Sequence, residues 1–246
     1  DVAAALVDVR GLTVTDAAGR SPCGDREWMI VDADGRFVTQ RDAPRLALVG
    51  VGTAADGIAL SVPRLGTVTV AAPTGRPTRE VQVWDSRVPA HDAGDEAAAL
   101  LSAWLERAVR LVRYDDAYRR WCNPVFAGDS GAHAAFADAY PLLVIGRASL
   151  DELNARLAAR GHPALPMNRF RPNLVIGGLP AHDEDHLAAI VCGDVVIRPV
   201  KPCVRCRITT TDQDSATVGD EPLATLAGYR MDERFGGVTF GMNAVV

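Results

Sequence analysis

The sequence predicts a β-rich α+β fold in two parts, and three observations carry that expectation. Short apolar segments recur at near-regular spacing through the first third, separated by glycine and proline, as in a small antiparallel barrel or sandwich. The period then becomes helical, with Leu100, Leu101, Trp104, Leu105, Ala108 and Val109 recurring between Asp95 and Val112, three and four residues apart. Beyond residue 140, apolar strands return around one helix-like stretch.

The stretch 27–41, "EWMIVDADGRFVTQR", reads as a hairpin, with Asp34-Gly35 at the turn and Phe37 and Thr39 alternating on the returning arm. "GIALSVP", "GTVTVAAP" and "EVQVWDS" follow as strands. Asp92 or Asp95 is placed to cap the helix at 95–112. "YDDAYRRWCNPVFAGDSGAH" lacks a period and reads as a junction or loop. A second helix is expected to open at Ser149, where "SLDE" has the form of a capping box, and to end before Gly161. "LLVIG", "NLVIGG", "DVVIRPV" and "RITTT" are expected strands, and "EPLATLAGYR" a last helix with Pro222 in its first turn.

Composition narrows the function. A formal net charge of −5 over 246 residues argues against a general nucleic-acid binder, which needs a basic surplus. Apolar runs fall short of the ~20 residues that span a bilayer, and the first residues lack the basic start and apolar core of a signal peptide. The odd count of 5 cysteines suits a reducing compartment, so a cytoplasmic location without membrane or nucleic-acid partners is expected.

Two clusters stand out chemically. "KPCVRCRITTTD" (201–212) sets Cys203 and Cys206 among Lys201, the sole lysine, and Arg205 and Arg207. Closed zinc sites need four ligands, and the His182/His186 pair of "HDEDH" is badly spaced to complete one. A thioredoxin-like disulfide wants a helix after its first cysteine, whereas the β-branched "RITTT" favours a strand. A thiolate beside cations suits an anionic cofactor carrying a soft metal. Two cysteines buried as small hydrophobes account for the residues equally well. In "MNRFRPNLVIGG" (167–178), Arg169 and Arg171 would share one face of a strand, Pro172 would set a turn and Asn173 would offer an amide. Such an arginine pair matches a phosphate, or serves an edge-strand salt bridge.

"AFADAYPLLV" (135–144), "FRPNLVIGG" (170–178) and "KPCVRCRITTTD", in that order, resemble the MOSC domain, named after the carboxy-terminal domain of molybdenum cofactor sulfurase. Upstream, "GDREWMIVDADGRFVTQRDAPRLALV" resembles the β-barrel domain that precedes MOSC in bacterial iron–sulfur-linked MOSC proteins and mitochondrial amidoxime-reducing components. The resemblance implies an amino-terminal barrel over 1–118 and a MOSC β-barrel with peripheral helices over 119–246. It implies the molybdenum cofactor (molybdopterin), with Cys206 as metal ligand and catalytic residue. Cofactor contacts would come from Arg26, Asp138, Arg171, Asn173, Val204, Arg205 and Cys206, with Cys203 behind the metal-facing position. Ala139 and Tyr140 stand where some relatives carry hydroxyl residues after that aspartate. The implied activity is reduction of N-hydroxylated compounds (amidoximes, hydroxylamines or N-hydroxylated bases) to amines, with electrons from a ferredoxin-type or flavoprotein donor. A carrier of cofactor or sulfur, without turnover, is the rival reading. The family's first strand, with its Pro-Val-Lys-Ser stretch, and its last strand, with a Gly-Asp turn, are expected to be missing from this chain, as is a ferredoxin-like extension.

Overall fold

The computed structural model describes residues 25–246 except 74 and 76. The expectation about a first strand falls outside these residues, and Cys23 does too.

The amino-terminal part is built from β1 (Trp28–Val31), β2 (Gly50–Ala54), β3 (Gly57–Val62), β4 (Gly66–Ala71), β5 (Thr78–Val83), β6 (Ser86–Asp92), helix α1 (Asp95–Leu105) and β7 (Arg110–Tyr114). β2, β3 and β4 form an antiparallel meander, and β1, β7, β6 and β5 form a second sheet in that order. Alternation decides which faces meet. Ile58, Leu60 and Val62 of β3 and Val68 and Val70 of β4 point inward, against Trp28 and Ile30 of β1 and Leu101 and Trp104 of α1. The intervening Met29 and Val31 pack on the other side of β1, with Val81, Val88 and Tyr114. β1 is buried on both faces, which is why it reads as an unbroken apolar run. Burying each large aliphatic side chain stabilises the fold by ~1.5–3 kcal/mol.

Two expectations change here. The hairpin turn forms, with Asp32 Oδ1 accepting the N–H groups of Asp34 and Arg36 and Gly35 at a φ of 77°. Its returning arm, however, makes isolated bridges, from Phe37 to Val31 and from Arg36 to Gln82, before the chain enters a 3-10 turn at Pro44–Leu48. The helix expected to reach Val112 ends at Leu105, where Glu106 adopts a left-handed conformation. Leu111 and Val112 instead pair with β1 and β6. The helix is capped by neither aspartate side chain. Its cap is Gly94, whose N–H is held by Asp92 Oδ1, and both Asp92 and Asp95 bind Arg110.

The carboxy-terminal part contains helix α2 (Pro124–Ala127), β8 (Leu142–Gly146), α3 (Arg147–Ala159), β9 (Leu174–Ile176), β10 (Ile190–Cys192), β11 (Val195–Val204), α4 (Leu223–Ala227), β12 (Met231–Asp232) and β13 (Gly237–Val245). The sheet order is β10-β11-β13-β8-β9, with β12 pairing β13. β8 and β9 are parallel and joined through α3, as a parallel pair requires. Leu153 and Leu157 of α3 bury against Ile145, Phe170 and Phe240.

The capping box does not form. Ser149 lies inside α3 and donates its hydroxyl to Glu184, while Gly146 N–H, at the start of the helix, also donates to Glu184. A carboxylate from a distant 3-10 turn, Asp183–His186, thus does the capping. The adjoining His182 packs against Tyr229 and Phe240. Burial, reinforced by the Arg230 charge, holds its pKa below the usual imidazole range. A depressed histidine contributes stability above ~6.5, the unfolded value, that is lost as pH falls below it. His182→Asn, which tolerates the positive φ at this position, is expected to flatten the loss of thermal stability between about pH 6.5 and 5; an unchanged acid limb in calorimetry would contradict it.

"RITTT" is not a strand either. Residues Arg207–Thr210 form a 3-10 turn, because Thr209 Oγ1 donates to the Cys206 carbonyl and Thr210 Oγ1 to that of Arg207. These local bonds outweigh the β preference of threonine. Arg169 and Arg171 likewise share no strand face. Arg169 ends a 3-10 turn and pairs with Asp212 at 2.7 Å, while Arg171 sits at a φ of 56°.

Candidate functional site

The expected site residues converge on a single cleft where the two parts of the chain meet. Arg26, Asp138, Arg171, Asn173, Val204, Arg205 and Cys206 all line it. The cleft and the open space at its mouth together amount to about 860 Å³.

Asn173 knits the floor. Its backbone N–H donates to Leu143 O, and its side-chain Oδ1 accepts from Leu143 N–H at 2.9 Å and from Arg26 Nη1 at 2.9 Å. Its Nδ2 donates to Asp25 Oδ2 at 2.6 Å, and the same carboxylate pairs with Arg26. Arg26 Nη2 also reaches the Arg171 carbonyl at 3.3 Å across 145 residues of sequence. Both arginines occupy the left-handed region, which costs a side-chain-bearing residue of order 1–3 kcal/mol and clusters at functional sites. With its amide oxygen and one amide N–H engaged inside the protein, Asn173 acts by fixing Arg26.

The cysteine wall comes from the end of β11. Pro199 and Pro202 lack an N–H to donate, and the β11–β13 register shifts between Pro199 and Lys201 and again between Pro202 and Val204. These irregularities twist the strand end. Arg205 is anchored by its N–H to Val238 O and by Nη2 to Phe170 O, both at 2.7 Å, while Nη1 meets Cys203 Sγ at 3.0 Å. Its buried Nε finds no acceptor among the described residues. Cys203 was expected behind the metal-facing residue. It packs beside the core of Leu143, Phe170 and Phe240 and also lines the cleft, because the shifted register lets both thiols reach it. Cys203 and Cys206 are free thiols and partly exposed. Buried Cys122, by contrast, has its pKa pushed up by burial, with Arg120 opposing. Lys201 is not a partner of either thiol; its ammonium rests over the rings of Phe126 and Phe235.

Two residues that sequence reasoning missed complete the wall. Arg41 Nη1 donates to Cys206 Sγ at 3.3 Å, and its guanidinium lies over the Trp84 ring at 4.4 Å. Trp84 Nε1 in turn donates to Asp138 Oδ1 at 3.0 Å, so Asp138, itself on the cleft wall, is linked to Arg41 through an aromatic side chain. Alternation was the available signal. Phe37 and Thr39 share a face, Arg41 is the next residue of that series, and all three line the cleft.

Comparison with known proteins agrees with this architecture. The MOSC N-terminal beta barrel domain matches residues 4–108 and the MOSC domain matches residues 131–245. The chain belongs to the MOSC-domain proteins. Among curated relatives, mitochondrial amidoxime-reducing component 1 of Mus musculus is 33% identical over 84% of this chain and 62% of its own length. Mitochondrial amidoxime reducing component 2 of Rattus norvegicus is 32% identical over 85% of this chain and 64% of its own. The human component 1 is 30% identical, with coverages of 84% and 62%. The chain thus spans less than two thirds of the length of these relatives. They are named as mitochondrial, a location different from the cytoplasmic one expected from the sequence. No described helix of this MOSC protein is long and apolar enough to cross a membrane.

The cleft gathers four arginines, Arg26, Arg41, Arg171 and Arg205, in a chain of net charge −5. Among the described residues, no three His, Cys, Asp or Glu side chains gather into a metal cage. The donors here are sulfur and guanidinium, a set that suits an anionic ligand bearing a soft metal better than a bare hard cation.

Proposed function

We propose that this protein binds the molybdenum cofactor in the cleft and reduces N-hydroxylated compounds to amines. The observation that carries the reading is convergence. A thiol free to ligate and four guanidinium groups, drawn from four separate segments, face one space, and the buried Arg205 Nε–H awaits an acceptor. The relatives' names, amidoxime-reducing components, supply the substrate class.

When bound, the cofactor supplies two-electron chemistry at a metal able to accept the oxygen of an N–OH group. Cys206 would be the protein's metal ligand. Arg205 and Arg171 would bind the anionic pterin side, with Arg26 held ready by Asn173 and Asp25. Val204, half exposed beside the thiols, offers the ligand its backbone. The overall reaction consumes two electrons and two protons per N–O bond broken and yields the amine and water. A ferredoxin-type or flavoprotein donor would deliver the electrons.

The test is to purify the full-length protein from a host that makes the cofactor, measure molybdenum and pterin, and follow oxidation of a reduced viologen dye with benzamidoxime. Stoichiometric molybdenum and substrate-dependent dye oxidation are expected. Bound cofactor without turnover would support a carrier instead, and absence of molybdenum would overturn the reading.

A further inference from the structure

The Arg41 contact extends this picture, because it joins the amino-terminal part of the chain to the cysteine proposed to hold the metal. We propose that Arg41 is a positioning residue for Cys206, a guanidinium delivered across the domain junction to hold the sulfur and draw electron density from it. Its electronic half rests on the cofactor reading above.

Three features set Arg41 apart from a solvated surface arginine. The first is its acceptor. Among the described residues, the hydrogen bond its guanidinium makes is to Cys206 Sγ, at 3.3 Å, and it forms no ion pair with a carboxylate. The second is its brace. The guanidinium is stacked on Trp84 and flanked by Phe37, whose ring centroid lies 5.6 Å away. These rings are themselves in contact at 5.2 Å. Cation–π stacking suits the flat arginine head and holds it without competing for its donors.

The third feature is the loop. Asp42 Oδ2 accepts from the Thr39 hydroxyl, and Arg41 N–H donates to Thr39 Oγ1. Between them Gln40 is buried and exchanges two amide hydrogen bonds with Gln213, at 3.2 and 3.0 Å, over a sequence separation of 173. Gln213 follows shortly after Cys206 in the chain. The same contact that fastens the amino-terminal loop to the carboxy-terminal part therefore registers Arg41 against the cysteine.

A charged donor on a ligating sulfur lowers the electron density it passes to the metal and raises the reduction potential. Arg41 is thus expected to favour the reduced centre without touching substrate.

The test uses the full chain in two states. In metal-free protein, the Arg41 Nε–H resonance, identified by its loss in Arg41→Lys, should shift in Cys206→Ala and stay in place in Cys203→Ala. A resonance indifferent to Cys206→Ala overturns the contact. In cofactor-loaded protein, Arg41→Gln is expected to lower cofactor affinity about 10-fold, as for an outer-shell partner, to alter the Mo(V) electron paramagnetic resonance spectrum and to move the midpoint potential down. Arg41→Lys should recover part of that shift. An unchanged spectrum and potential in Arg41→Gln overturn the proposal. Should that variant lose its metal, Trp84→Leu, which keeps the guanidinium but frees it, must show the same spectral change, and an unshifted spectrum there overturns it equally. Wild-type protein without molybdenum would overturn the cofactor reading alone, and the metal-free arm would still decide whether Arg41 holds the sulfur.

Discussion

Cys206→Ser is expected to abolish reduction of N-hydroxylated substrates and strip most of the molybdenum, whereas Cys203→Ser keeps the larger part of both. An alcohol oxygen is a hard, protonated substitute for a thiolate at a soft metal. The loss should exceed the ~100-fold that bounds outer-shell substitutions. Cys203 also lines the cleft, so position alone does not separate the two thiols. Their partners do. Cys203 Sγ is engaged by Arg205 Nη1 at 3.0 Å, a contact that a serine oxygen can still accept, so its replacement leaves Arg205 anchored to Phe170 O. Zinc coordination or a redox disulfide would need both sulfurs and predicts equal loss. Dye-coupled activity and molybdenum content of the two single variants decide between these outcomes. An active Cys206→Ser protein would remove the enzyme reading.

Which parts of this structure were legible in the sequence follows from the range of the forces involved. β3 and β4 were readable because alternation over six residues puts one face in the core and the other in water. The end of α1 was not. Val109, Leu111 and Val112 fit a helical stripe as well as a strand, and only pairing with β1 and β6, distant in sequence, selects the strand. Thr209 and Thr210 mislead in the opposite direction, since their hydroxyls close a 3-10 turn that β propensity disfavours. Among the site residues, the CxxC and FRPN strings carried a resemblance specific enough to locate Cys206, Arg205 and Asn173 in sequence. What Asn173 does was hidden, because its partners Arg26, Asp25 and Leu143 are distant in the chain. Arg41 was within reach of a longer alternation count, but the Gln40–Gln213 pair that seats it leaves no local mark in either segment.

Asn173→Ala should be the most damaging substitution in the cleft that removes neither sulfur nor charge. Asn173 is 2% exposed, and its amide serves three groups: it accepts from Leu143 N–H and Arg26 Nη1 and donates to Asp25 Oδ2. Truncation leaves a buried backbone donor, a guanidinium and a carboxylate each short of a partner. Stranding one buried polar group costs about 1–3 kcal/mol. Arg26 and Asp25 retain their mutual ion pair at 2.6 Å, so the sum falls short of three full penalties, at about 2–4 kcal/mol. For a chain of this size each kcal/mol lowers the melting temperature by about 2–4 °C, giving a drop of roughly 5–15 °C. Arg26 would also lose the contact that aims it, so cofactor retention should fall with stability. Arg26→Gln separates the two effects. It removes the charge but keeps an amide able to donate to Asn173 Oδ1, and is expected to weaken cofactor retention with a smaller thermal shift. If Asn173→Ala melts within a degree or so of the parent, the amide is not what holds the two parts of the site together.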